Sequence, residues 1–227
     1  MGGVCVTDVT RIADEVLRRL QREAGNPPRA VEPLGSAGIS IPVAVSARHA
    51  HVSRTVLDRL YGEGYSLTKR SDLRQPGQFA AEETVTIVGR SLRAIEGVRI
   101  LGPVRTYTQV EMSRADAVRL GVDPPIRRSG DLAGSAPLTL VGPHGAVSLK
   151  EGGIRATRHL HMTPRDAEQH HVANGELVRV RFSGPAALVL ENVMVNISDD
   201  AALELHLDTD NAGAADVRGP MMVSILK

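Results

Sequence analysis

The chain has 227 residues, of which 42% are apolar but only 2% are aromatic. This length can bury a sizeable core, and it favours two small lobes that share an interface. The 27 basic and 26 acidic side chains give a formal charge of +1, without the basic excess that binding to DNA or RNA requires. The single cysteine, Cys5, excludes an internal disulfide framework and fits a reducing compartment. No apolar run is long enough to span a membrane, so we expect a soluble intracellular protein.

An amphipathic helix is predicted over residues 9–20, where apolar residues recur at helical spacing and charged residues occupy the other face. Gly25 ends this pattern, and residues 26–36 have the composition of an extended linker. A short isolated helix is marginal in water, so its apolar face needs a partner surface. From the pattern alone, that surface is equally well the body of the same chain, a dimer mate or a separate protein.

The body begins near Ile39 and is predicted to consist of short strands separated by Gly, Pro and Asp. The six predicted strands cover residues 40–45, 84–88, 97–101, 138–141, 177–181 and 188–190. Short helices are predicted after Ser53, Ser113 and Thr163, because a hydroxyl residue suits the N-cap position. Asp116 and Asp166 complete a capping-box variant at the second and third of these helices. The expected fold is mainly β with short α, built as small β-barrels with capping helices.

Two segments about a hundred residues apart have nearly the same sequence: RHAHVS at residues 48–53 and RHLHMT at residues 158–163. A weaker third copy is QVEMS at residues 109–113. All three alternate polar and apolar residues and end in a residue suited to capping a helix. On a strand the two outer polar side chains point to the same face, so each His-x-His pair directs both imidazoles to one point. This is the geometry of metal ligands.

Three of the eight histidines are predicted to lie elsewhere: His144 in a turn, and His170 and His171 at an exposed helix end. The candidate ligands that remain are His49, His51, His159, His161 and His206, together with Glu111, which matches a second histidine of the repeat. Imidazoles with a carboxylate suit zinc or a similar divalent ion, and six ligands could hold two ions. Two alternatives stay open: the histidine pairs bond only to each other on an exposed strand, or they form a closed structural zinc site.

No cysteine follows Cys5, which argues against a cysteine nucleophile in the body. Arg105 lies six residues before Glu111 and could clamp a phosphate against a metal ion. By pattern alone, however, an ordinary surface arginine at a strand end is the better interpretation.

Several longer blocks carry a family resemblance. They are VSARHAHVS at residues 45–53, QPGQFAAEETV at residues 75–85, LGPVR at residues 101–105, QVE at residues 109–111, SGDL at residues 129–132, RHLHM at residues 158–162 and HLDTD at residues 206–210. Together they resemble the phosphate propanoyltransferases of bacterial microcompartments, the PduL type of phosphotransacylase. The resemblance extends from about residue 41 to residue 210.

This resemblance implies two β-barrels: residues 38–48 with 156–227 in the first, and residues 49–155 in the second. It implies that the six candidate ligands hold two zinc ions per chain and that Arg105 is the catalytic, phosphate-binding arginine. The implied coenzyme A site comprises Ser46, Arg99 and Leu101 beside His206. The implied reaction converts an acyl-CoA, propanoyl-CoA or acetyl-CoA, and phosphate into an acyl phosphate and CoA.

The resemblance also implies that residues 1–37 direct the enzyme into a microcompartment, through a shell protein or another cargo protein. The expected location is the microcompartment lumen, the expected assembly is a homodimer, and no nucleic acid or membrane partner is expected. Two rival interpretations remain. A duplicated cupin-like metalloenzyme would also place His-x-His on a barrel, and a zinc-stabilised cargo adaptor would need no activity at all.

Overall fold

The computed structural model describes residues 40–226, all of which lie in one compact unit. The predicted helix at residues 9–20, its linker and Cys5 fall outside the described residues. No helix within residues 40–226 is long and apolar enough to cross a membrane.

The described residues form fourteen strands and four short helices. The strands are β1 (Ile41–Val45), β2 (His49–His51), β3 (Lys69–Asp72), β4 (Phe79–Val88), β5 (Ala94–Gly102), β6 (Gln109–Glu111), β7 (Ile126–Arg127), β8 (Ala136–Val141), β9 (Ala146–Ala156), β10 (His159–Met162), β11 (Leu177–Phe182), β12 (Leu188–Ile197), β13 (Glu204–Leu207) and β14 (Met222–Leu226). The helices are α1 (Arg54–Tyr61), α2 (Arg114–Leu120), α3 (Pro164–His170) and α4 (Thr209–Ala214). All six predicted strands are present, and the three predicted helices begin after the predicted caps.

One barrel is closed by six strands in the order β1-β13-β10-β12-β11-β14, with β14 pairing back onto β1. Its interior is filled by one fully buried aromatic ring, Phe182, among aliphatic residues such as Leu160, Val195 and Leu205. Side chains alternate between the two faces of a strand, which explains the alternating burial along β11. The scarcity of aromatic residues therefore results in a core made mainly of Val, Leu and Ile.

The second sheet follows the order β3-β4-β5-β2-β6-β9-β7. Because β8 pairs with both β4 and β9, it closes β4, β5, β2, β6 and β9 into a second barrel of six strands. Its core includes Val85, Ile87, Ile100 and Leu140. The predicted fold class, two β-barrels with short capping helices, is thus confirmed. The exact domain boundaries at residues 38–48, 49–155 and 156–227 stay a proposal.

The helix caps form as the sequence indicates. The Ser53 hydroxyl accepts a hydrogen bond from the backbone N–H of Val56 at 3.4 Å. Complete capping boxes join Ser113 to Asp116 and Thr163 to Asp166. Each cap satisfies backbone donors that a helix would otherwise leave unpaired at its start. The caps fix where each helix begins, and hence where the strand before it ends.

Candidate metal centre and substrate cleft

Four short strands share one design, in which polar, apolar, polar and apolar residues precede a helix cap. They are β2 (cap Ser53), β6 (cap Ser113), β10 (cap Thr163) and β13 (cap Asp208). The fourth copy, ELHLD at residues 204–208, is not one of the three repeats recognised in the sequence. Had the cap been allowed to be Asp as well as Ser or Thr, the same pattern would have found it.

The four strands pair two by two. In one barrel β2 lies antiparallel to β6, with His49 opposite Glu111 and His51 opposite Gln109. In the other, β10 lies antiparallel to β13, with His159 opposite His206 and His161 opposite Glu204. Directly opposed residues on antiparallel strands lie on the same face, so each pair of strands presents a square of four polar side chains. In each square three side chains form a cluster that could hold a metal ion: His49, His51 and Glu111 in one, and His159, His161 and His206 in the other.

Backbone carbonyls orient the imidazoles of the first triad. His49 donates from Nδ1 to the Ala47 carbonyl at 2.9 Å, and His51 donates from Nδ1 to the Leu101 carbonyl at 3.3 Å. A carbonyl oxygen only accepts, so Nδ1 carries the proton and Nε2 keeps its lone pair. The His49 Nε2 atom lies 3.6 Å from Oε2 of Glu111. Ligand atoms of the triad therefore converge with free electron pairs.

The Glu111 carboxylate is held on its other oxygen. Oε1 accepts hydrogen bonds from Nε2 of Gln109 at 2.7 Å and from the Ser129 hydroxyl at 3.0 Å. Gln109 is fully buried, and its own oxygen accepts from the Gly130 amide at 2.8 Å. These contacts leave Oε2 directed at the histidines, which is how an outer layer of hydrogen bonds orients a ligating carboxylate.

The second triad is tighter. His159 donates from Nδ1 to the Thr157 carbonyl at 2.7 Å, and its Nε2 lies 3.1 Å from Nε2 of His161. The His206 ring centroid lies 5.1 Å from that of His159 and 4.7 Å from that of His161. Because the Nδ1 bond leaves a lone pair on Nε2 of His159, this close approach of the two nitrogens fits a cation shared between the rings. The donor set of both triads, five imidazoles and one carboxylate, fits zinc or a similar divalent ion.

The protonation states suit a cation as well. Burial, reinforced by the neighbouring His49 and Arg105, lowers the pKa of His51 to about 3. Burial and the neighbouring His159 and His206 lower the pKa of His161 to about 3. For Glu111, burial alone would raise the pKa, but the adjacent His49 and His51 outweigh it and hold the pKa below its ordinary value. Neutral imidazoles beside an ionised carboxylate are the forms that bind metal.

Both triads face one cleft of about 730 Å³. All ten site residues predicted from the sequence line it: Ser46, His49, His51, Arg99, Leu101, Arg105, Glu111, His159, His161 and His206. Its volume lies within the range of pockets that bind small molecules and cofactors. Residues far apart in the chain, from both barrels, are thus brought to one place.

Arg105 is fixed on the wall of the cleft. Its backbone N–H donates to the Val52 carbonyl at 2.9 Å, next to the cap of α1. Its guanidinium donates to the Tyr107 hydroxyl at 2.6 Å and lies 5.7 Å from the centroid of that ring. Arg105 is therefore a held cation near the first triad. Tyr107 is not among the site residues predicted from the sequence.

The other predicted cleft residues have different surroundings. Arg99 donates from Nη1 to the carbonyls of Ala81 and Glu82 at 2.8 and 2.9 Å, so part of its guanidinium already serves the fold. Ser46 places its hydroxyl 3.5 Å from Nδ1 of His206.

The prediction for the remaining histidines is partly wrong. His144 lies in a turn closed by a bond from the Gly142 N–H to the Gly145 carbonyl at 2.8 Å, as expected. His171 is exposed at the end of α3. His170, predicted to be exposed, is buried because the last turn of α3 directs it inward. The polar run that precedes it in the sequence concealed this orientation.

Comparison with known proteins gives the family. A model of the family described as phosphate propanoyltransferase matches residues 42–218. The chain belongs to the phosphate propanoyltransferase family. It is therefore an acyltransferase enzyme, as the sequence predicted, which favours acyl transfer over the cupin-like and adaptor interpretations.

Curated relatives support the assignment over most of the chain. A phosphate propanoyltransferase of Lachnoclostridium phytofermentans is 50% identical over 192 residues, which cover 85% of this chain and 90% of the relative. One of Thermotoga maritima is 53% identical over 176 residues, covering 77% of this chain and 83% of the relative. One of Listeria monocytogenes is 40% identical over 219 residues, covering 96% of this chain and 95% of the relative.

Proposed function

We propose that this acyltransferase moves an acyl group between coenzyme A and phosphate at a two-zinc centre in the cleft. The observation that carries the proposal is that two ligand triads from two barrels and one held arginine line the same cleft. The acyl donor is propanoyl-CoA or acetyl-CoA. These two differ by one methylene, which a pocket distinguishes by only about 1 kcal/mol or somewhat more, so both are kept as donors.

Two residues prepare the phosphate. Arg105 binds it with its guanidinium, which matches the geometry of two phosphate oxygens. The Tyr107 hydroxyl, 2.6 Å from Nη1, keeps the guanidinium from rotating away from the first triad. Holding phosphate beside the bound thioester converts an encounter between two solutes into a single oriented complex.

Coenzyme A occupies the part of the cleft lined by Ser46, Arg99 and Leu101, beside His206. A phosphate oxygen attacks the thioester carbonyl carbon; a C–O bond forms, the C–S bond breaks, and the thiolate leaves as free CoA. Bound zinc supplies a Lewis acid that polarises the carbonyl and lowers the pKa of the departing thiol. We expect direct transfer in a complex that holds both substrates; residues 6–227 contain no cysteine, which excludes an acyl-cysteine intermediate there.

Three further features belong to the same proposal. Residues 1–37 act as the segment that takes the enzyme into a bacterial microcompartment, where it works in the lumen. The amphipathic pattern of residues 9–20 supports this role through contact with a shell or cargo protein. The assembly is a homodimer.

The test measures CoA release from propanoyl-CoA with and without phosphate. The native protein, metal-depleted protein, Arg105→Ala and the control Arg179→Ala are compared. Arg179 pairs with Glu191 and does not line the cleft. We expect phosphate-dependent release that is lost on metal depletion, falls sharply in Arg105→Ala and is unchanged in Arg179→Ala. Release of CoA without phosphate, or equal rates in both arginine variants, would contradict the proposal.

A further inference from the structure

Glu204 is a buried acid that belongs to neither ligand triad. It lies opposite His161 on the adjacent strand and two residues before His206, so it shares their face of the closed barrel. Its side chain is only 9% exposed. A buried carboxylate is costly unless hydrogen bonds compensate it, so its partners indicate its role.

Glu204 contacts the candidate metal ligand His206 and also Gln75, which comes from a loop of the second sheet. Its Oε2 lies 2.7 Å from Nε2 of His206 and accepts from Nε2 of Gln75 at 3.3 Å. Gln75 lies between β3 and β4, and its side chain is almost fully buried. The Gln75 amide also donates to the Ala202 carbonyl at 2.9 Å and accepts from the Ala202 N–H at 3.2 Å. These two hydrogen bonds to the Ala202 backbone fix which end of the Gln75 amide faces Glu204.

The internal repeat gives Glu204 a counterpart. In the first square the position outside the triad is Gln109, which donates to Glu111 two residues later at 2.7 Å. In the second square the position outside the triad is Glu204, which contacts His206 two residues later at the same distance. The chemistry is matched in each case: a carboxylate ligand receives an amide donor, and an imidazole ligand receives a carboxylate acceptor.

We propose that Glu204, held in place by Gln75, is the positioning residue for His206 in the second metal site. A carboxylate accepts the Nε2–H of His206, which leaves the Nδ1 lone pair for the metal ion. His206 thus binds through Nδ1, whereas His49, His51 and His159 donate from Nδ1 to carbonyls and bind through Nε2. The inference rests on the proposed two-zinc centre.

Zinc affinity of the metal-depleted protein, measured by competition with a chromophoric chelator, tests the role of the acceptor. Glu204→Met removes the acceptor, while Glu204→Gln keeps an acceptor oxygen at the same place. The control is Glu83→Met, which removes another buried carboxylate, bonded to Tyr65 and Thr68 outside the cleft. We expect Glu204→Met to lower the affinity for one of the two zinc ions by about 10- to 100-fold, as loss of an outer hydrogen-bond partner of a metal ligand does. Glu204→Gln should restore most of that affinity, and Glu83→Met should bind both ions as the native protein does.

The tautomers of the zinc-loaded native protein provide a readout that a merely structural role would not affect. Long-range ¹H–¹⁵N correlation spectra of the imidazoles should show His206 protonated at Nε2 and His49, His51 and His159 protonated at Nδ1. Two outcomes overturn the inference alone: native zinc affinities in a folded Glu204→Met protein, or His206 protonated at Nδ1 in the native protein. A native protein that binds no zinc would overturn the metal centre and this inference together.

Discussion

Replacing Tyr107 with Phe isolates the contribution of one hydrogen bond to phosphate binding. The hydroxyl accepts from Nη1 of Arg105 at 2.6 Å, a short bond to a charged donor. The ring beneath the guanidinium, 5.7 Å away, is retained in Phe, so the cation–π contact survives. Hydrogen bonds to charged groups are worth about 1.5–3 kcal/mol, and the partial exposure of this pair places the cost near the lower limit.

A loss of about 1.4 kcal/mol corresponds to a tenfold change in an equilibrium constant, and solvent can replace part of the lost bond. We therefore expect the KM for phosphate to rise about 5- to 10-fold. The KM for propanoyl-CoA should not change, because the hydroxyl bonds to the arginine proposed to bind phosphate and not to a residue of the proposed coenzyme A site. Initial rates with each substrate varied in turn measure the two constants separately.

The matched control is Tyr61→Phe. That hydroxyl donates to the Thr84 carbonyl at 2.5 Å in the second barrel and does not line the cleft. The Tyr61→Phe substitution should lower the free energy of unfolding but leave both KM values unchanged. If Tyr107→Phe left the phosphate KM at the native value, the idea that Tyr107 holds Arg105 for phosphate would be wrong.

Three further predictions concern stability. Gly89→Ala should cost about 1–3 kcal/mol in urea unfolding, because a methyl group there would collide with the Leu120 backbone, whereas Gly213→Ala in α4 should gain about 0.5–1 kcal/mol. Asp116→Ala should cost about 2–3 kcal/mol, since it removes both a cap of α2 and the partner of Arg48 at 2.8 Å, while Asp131→Ala at an exposed ion pair should cost little. Burial lowers the pKa of His51 from 6.5 to about 3, so below pH 6.5 only the unfolded chain takes up this proton. His161 has the same lowered pKa and acts in the same direction. Above pH 6.5 these two histidines should leave the free energy of unfolding of zinc-free protein independent of pH, and each should remove up to about 1.4 kcal/mol per pH unit as the pH falls towards 3. A urea midpoint that stays flat between pH 7 and 5 would contradict this.

Local patterns in the sequence were sufficient to predict three of the four ligand strands and the caps of three of the four helices that the structure describes. The His-x-His pairs lie on strands because alternation directs both rings to one face, and Ser53, Ser113 and Thr163 cap helices because their hydroxyls accept backbone N–H groups. Glu111 could be predicted because it occupies a repeat position. The strand β9 was missed, since Gly152 and Gly153 and the charges before them resemble a loop. In the fold, Gly153 allows close approach to Leu138, and an added methyl would lie 2.8 Å from that side chain.

Contacts distant in sequence could not be predicted in this way. The pairings of β8 with β4 and with β9, which close the second barrel, depend on strand order, and no local pattern records that order. Gln75 was recognised only as part of a family block, because its bond to Glu204 joins residues 129 positions apart. Tyr107 was missed because a single tyrosine after an arginine carries no periodic signal.

Stepwise return of zinc to the metal-depleted protein tests the two-zinc acyltransferase most directly. Bound zinc per chain is measured by elemental analysis, and phosphate-dependent CoA release from propanoyl-CoA is measured on the same samples. We predict that activity reaches its maximum only when two zinc ions are bound per chain. Full activity with no zinc, or with one ion and no further rise, would contradict it.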